Sequence, residues 1–151
     1  MSTTDLGFRR AGREGRDASR SDREAIVRPG DERFYQDFHA SSAQRVGRTI
    51  YFSGEIGTTA DGELPEDPKA QMRAAFGNLS TTLQASGATW SDVVVMTTYH
   101  VGLQSQIQAF VEIRNEFVQE PYPAWTGVGV TELYAGAVVE ISLVAELPPS
   151  D

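Results

Sequence analysis

Glu140 interrupts the run "AVVEISLV", which is otherwise fit for the interior of a strand. A carboxylate among apolar neighbours is costly unless it is paired or protonated, so such a residue is either interfacial or functional. Burial raises its pKa towards neutrality, the range in which a side chain takes a proton from water and returns it. Trp125, in "PYPAWTGVGV", stands at the entrance of another strand-like run, where a large aromatic is core, interface plug or the wall of a binding site. His39 and His100 are the only histidines and can act near neutral pH. His39 is a candidate for catalysis, whereas His100 reads more readily as a satisfied structural histidine, though a substrate contact is kept open for it. Two histidines without cysteine or helical spacing make no zinc site, and no metal is expected. Ser53 lacks the Gly-x-Ser-x-Gly elbow of a hydrolase nucleophile. "GVGV" falls inside a strand rather than opening a helix, so it is no phosphate loop.

These residues need elements to hold them. "Val-Gly-Arg-Thr" lies between two strand-like runs and predicts a hairpin turn at Gly47-Arg48, with His39 at the start of the first strand and "TIYFSGEI" as the second. Pro68 suits the first turn of a helix whose face carries Met72, Ala75, Phe76, Leu79 and Leu83 and which stops at Gly87. "VVVMTTYHV" is β-branched and aromatic, hence a strand. A second helical stripe runs through Ile107, Phe110, Val111, Phe117 and Val118 and ends before Pro121. Two further strands, "AWTGVGVTEL" and "AVVEISLVAEL", close the domain. Alternation places Trp125, Gly127 and Gly129 on one face of the first, and Thr126, Val128 and Val130 on the other. In the last strand Val139, Ile141, Leu143 and Ala145 point towards the helices. Val138, Glu140, Ser142 and Val144 point away, forming a semi-polar face that two helices cannot cover. The reading is an α+β domain with two helices on one face of a mixed sheet, and a homo-oligomer built on the other face.

Length and charge narrow the function classes. The 151 residues suffice for one domain with a real core. Residues 1 to 30 lack apolar periodicity and read as a flexible, arginine-rich extension, leaving 31 to 151 as the domain. Residues 1 to 50 carry ten arginines against eight acids, whereas residues 51 to 151 carry three basic side chains against thirteen acids. An acidic folded part repels phosphate backbones, so nucleic acid is not expected as a partner. No run reaches membrane-spanning length, cysteine is absent, and the N-terminus is polar; no membrane association and a cytoplasmic location are the expectations.

Several motifs stand in an order that resembles the Rid/YjgF family, also called endoribonuclease L-PSP: "YFSGEIG", "QMRAAFGNL", "DVVVMTTYHV", "YPAWTGVGVTEL" and "VVEISLVAEL", over about residues 38 to 147. The resemblance implies a fold similar to a bacterial chorismate mutase, assembled as a homotrimer with ligand clefts between subunits. It also implies hydrolysis of reactive imines and enamines such as 2-aminoacrylate, without metal or organic cofactor. Ser53-Gly54 match the family's Ser-Gly in the cleft, and Glu140 matches its glutamate for water or proton handling. Trp125 stands where the family usually has an arginine that grips the substrate carboxylate, with Thr126 and Gly127 beside it. Val111 stands where a helical asparagine is usual, and Ala40, next to His39, where a tyrosine is.

Tryptophan cannot bind an anion through a bidentate pair, so the ligand implied is small and flat, either apolar or cationic, held on the Trp125 face. The expected function is a hydrolase or lyase acting by water or proton handling on an imine, enamine or related unsaturated metabolite. It is not expected to be a standard 2-aminoacrylate deaminase. The alternative is a non-catalytic metabolite-binding or protein-protective relative.

Overall fold

The computed structural model describes residues 22–151; the leading part of the arginine-rich extension lies outside the described residues. The described residues form a single mixed sheet with three α-helices. In chain order these are β1 (Arg23–Ile26), α1 (Glu32–Phe38), β2 (Ala43–Val46), β3 (Thr49–Phe52), β4 (Glu55–Ile56), α2 (Pro68–Ala85), β5 (Val93–His100), α3 (Leu103–Arg114), β6 (Ala124–Gly129) and β7 (Val139–Glu146). The strands lie in the order β1-β2-β3-β7-β5-β6, with β4 also paired to β7. The β5–β6 pair is parallel, spanned by α3 as its crossover, and the remaining pairs are antiparallel.

Local chemistry explains the elements that were legible. The Asp67 side chain accepts the Ala70 N–H at 3.1 Å and Pro68 follows it, giving α2 a capped start. The predicted stripe of Met72, Ala75, Phe76, Leu79 and Leu83 is buried throughout. It packs with α3 on the β7 face carrying Val139, Ile141, Leu143 and Ala145, all at most 1% exposed. Phe76 is the hub of an aromatic cluster with Trp90, Phe110 and Phe117, at centroid separations of 5.0–5.6 Å. The hairpin turns at Gly47-Arg48 as expected, with Val46 paired to Thr49.

Three expectations need correction. Residues 23–30 are not extension: β1 pairs along its length with β2, and Arg28 is buried. Only Ile26 of β1 enters the core, so the strand carries no hydrophobic alternation and is held mainly by backbone pairing. Secondly, the stretch before the hairpin is the helix α1, with His39 as its left-handed C-cap (φ 54°) rather than the first residue of a strand. This helix buries none of its residues, so no apolar stripe announces it. Thirdly, "TIYFSGEI" is two strands. Tyr51 pairs with Val144 and Glu55 with Ile141, so three residues on one side face two on the other. The extra residue is a bulge at Ser53-Gly54.

The sheet face away from α2 and α3 is semi-apolar, as predicted. Tyr51, Val95 and Val128 are exposed there, beside the half-buried Glu140, Ser142 and Val144. Among the described residues no helix is long and apolar enough to cross a membrane.

Candidate active site

The bulge between β3 and β4 brings Ser53, Gly54 and Glu140 together. A cavity of about 350 Å³ opens here, lined by these three residues with Arg28, Asp31, Glu55, Phe34, Phe38 and Tyr134, among others. The Glu140 carboxylate lies over Gly54 so closely that any side chain at position 54 would collide with it; an added Cβ would fall 1.9 Å from Oε1. Glycine at 54 is therefore a requirement of the glutamate's position. Burial pushes the Glu140 carboxyl above its ordinary value of 4.5, and no cation among the described residues counters it. Ser53 Oγ donates to the Ser41 carbonyl at 2.7 Å, and its backbone N–H donates to Ser42 at 3.0 Å. These bonds fix the bulge, and they leave the Ser53 hydroxyl without a histidine base.

Arg28 organises the cavity floor. Its guanidinium meets Glu55 at 2.9 Å and Asp31 at 3.1 Å, and it also donates to the Asn78 carbonyl and to Thr82 Oγ1 on α2. Asp31 in turn accepts from Ser42 Oγ at 2.7 Å. Burial raises the Glu55 pKa against the opposing pull of Arg28. None of Arg28, Asp31, Phe34, Phe38 and Tyr134 was singled out from the sequence. The i, i+4 spacing of Phe34 and Phe38 was the available signal, masked by the reading of that stretch as a strand entry.

The other predicted site residues do not join this cavity within the protomer. Trp125 lies on the opposite, helix-covered face of the sheet. Its ring stacks on Phe110 at 5.7 Å, its Nε1–H donates to Thr98 Oγ1 at 2.9 Å, and the Arg114 guanidinium lies over it at 4.8 Å. The cation expected on the indole is thus supplied by the chain's own arginine, and Trp125 packs against the core rather than beside Glu140. Gly127 leaves room for it as expected: a Cβ there would come within 3.4 Å of the indole. Thr126 points to the exposed face of β6. Val111 is half-buried on α3 and does not line the Glu140 cavity.

His100 is fully buried and belongs to the core, not to a substrate site. Gln106 donates its amide to the Val101 and Val138 carbonyls, so its Oε1 faces the His100 Nδ1–H at 3.1 Å. Nε2 then accepts from the Thr98 hydroxyl at 2.8 Å, which itself accepts from Trp125. Burial depresses the His100 pKa, against the opposing pull of its bond to Gln106 Oε1. His39 opens onto a different hollow, with Arg23, Tyr35, Gln36 and Gln44, and does not reach Glu140. No group of three His, Asp or Glu side chains among the described residues is placed to hold a metal ion.

A mixed sheet with helices on one face and a glycine-cleared glutamate at a strand bulge defines the class of protein. The sequence model of Endoribonuclease L-PSP matches residues 34–147. The chain is 38% identical over 128 residues to the RutC family protein YjgH of Escherichia coli, covering 84% of this chain and 97% of that protein. It is 37% identical over 106 residues to a 2-iminobutanoate/2-iminopropanoate deaminase of Dermatophagoides farinae, covering 69% and 82%. The solved structure of protein YJGH superposes with a TM-score of 0.78 at 37% identity, over 85% of this chain and 99% of that one. The chain belongs to the endoribonuclease L-PSP family, the Rid/YjgF family of the sequence resemblance.

Proposed function

We propose that the chain hydrolyses an imine or enamine to a carbonyl compound and ammonia, with Glu140 as the proton-transferring group. The observation that carries this reading is the Glu140 carboxylate, raised in pKa by burial and held at the bulge beside Ser53-Gly54 in a cavity of ligand size. The relatives named as 2-iminobutanoate/2-iminopropanoate deaminases support the reaction class.

The ionised glutamate accepts a proton from a water that adds to the C=N carbon, giving a carbinolamine. The imine reacts as its iminium, RR′C=NH2+, so the carbinolamine is RR′C(OH)NH2. The protonated carboxyl returns its proton to nitrogen, and NH3 leaves as the C–N bond breaks. The carboxylate then takes the hydroxyl proton and passes it to water, so that RR′C=NH2+ and H2O become RR′C=O, NH3 and H+. A raised pKa suits both halves, because the group must take a proton and then release it. The homotrimer of the family is part of the proposal. Its support in this chain is the semi-apolar sheet face, and subunit clefts would extend the Glu140 cavity.

The test generates imines in situ with an amine or amino-acid oxidase and follows ammonia release above the uncatalysed rate. Glu140→Gln keeps the shape and removes the titrating group, so turnover is expected to fall about a hundredfold. Wild-type turnover in that variant would overturn the reading.

A further inference from the structure

Phe34, Phe38 and Tyr134 are placed where the core does not need them. Their exposures are 38%, 55% and 68%, and α1, which carries the two phenylalanines, buries no residue at all. The three rings nevertheless form one continuous surface. Phe34 stacks on Phe38 at 5.2 Å, and Phe38 meets Tyr134 edge-on at 5.7 Å. All three line the same cavity as Glu140. The same cavity is lined by the acids Glu140, Asp31 and Glu55, with Arg28 as the single cation among its described lining residues. That cation is not free for a ligand, since both of its terminal nitrogens are engaged by Asp31, Glu55, Asn78 and Thr82, and the residue is buried. Among the described residues, a substrate carboxylate would therefore meet Glu140 and the Arg28-paired Asp31 and Glu55, with no cation free to receive it. An iminium or a neutral imine meets no such repulsion, and an aromatic body finds a ring wall.

From this juxtaposition we propose that the substrates are imines with an aromatic body and no carboxylate, the ring resting on Phe34, Phe38 and Tyr134 and the C=N group facing Glu140. The proposal rests on the imine-hydrolase reading of Glu140 for its chemistry but not for its binding geometry. The step is the same: R–CH=NH and water give R–CHO and ammonia, with no redox change.

Four imines separate ring from charge. An amine oxidase supplies those of 2-phenylethylamine and butylamine, and an amino-acid oxidase those of phenylalanine and alanine. The phenylethylamine-derived imine is expected to have a kcat/KM at least tenfold above that of the alanine-derived one. Phe38→Ala should lower it about tenfold, and lower that of the butylamine-derived imine, which has no ring to rest on that wall, by a clearly smaller factor. Because α1 buries nothing, this variant should keep the wild-type melting temperature, which thermal denaturation checks. Calorimetric titration with 2-phenylethylamine itself reads binding without reaction, and weaker binding to Phe38→Ala is expected. A preference for the alanine-derived imine, or equal amine binding by wild type and Phe38→Ala, overturns the substrate class and leaves the hydrolase reading standing. Amine binding that depends on Phe38, with none of the four imines accelerated, supports the ligand class and overturns the hydrolase reading instead.

Discussion

At the scale of single residues, Glu140 carries opposite consequences for stability and for chemistry. Burial raises its folded-state pKa above 4.5, so the folded protein binds a proton more tightly than the unfolded chain does. Its contribution to stability is therefore full below about pH 4.5 and is lost as pH rises through the folded value. Glu140→Gln should melt higher than wild type at pH 8 and no higher at pH 4, as thermal denaturation at the two pH values will show. A parallel shift at both would mean that ionisation of Glu140 is not the source. The lone acid in an apolar strand was legible in the sequence because alternation alone set its face. Trp125 was legible as an anomaly but not as a neighbour. Its partners Phe110 and Thr98 lie 15 and 27 positions away, and strand period says which residues share a face but not which face a helix will cover.

At the scale of elements, readable strength follows how much each buries. The stripe of α2 and the alternation of β7 sit in the core and were plain in the sequence. β1 and α1 bury one residue and none, and both were missed. They are held by polar bonds that no hydrophobic pattern encodes. Arg28 ties the segment between β1 and α1 to β4 through Glu55 and to α2 through Asn78 and Thr82. Arg28→Met keeps much of the side-chain volume but leaves Asp31 and Glu55 without their cation. Removing one partner of a buried ion pair costs about 3 kcal/mol. For a domain of this size that is roughly a 10 °C fall in melting temperature. Unchanged stability in scanning calorimetry would show that α1 is positioned by something other than this tether.

At the scale of the molecule, the exposed sheet face asks for a partner. Tyr51, Val95, Val128 and Val144 lie on the side away from α2 and α3, and β6 is an open edge among the described residues. A homotrimer closing on this face is expected to sediment as a single species of about three times the 16.5 kDa chain mass at micromolar concentration. Tyr51→Glu, which places a charge in that face, should shift the equilibrium towards monomer. A stable wild-type monomer in analytical ultracentrifugation would contradict the assembly.

The pH dependence of kcat/KM tests most directly whether Glu140, as proposed, moves the proton. A general base works when ionised, so the wild-type rate, corrected for uncatalysed hydrolysis, should rise with pH along an acid limb centred above 4.5. In Glu140→Gln that limb should vanish, leaving a residual rate about a hundredfold lower with no such inflection. The same limb at the same rate in the variant would contradict the account.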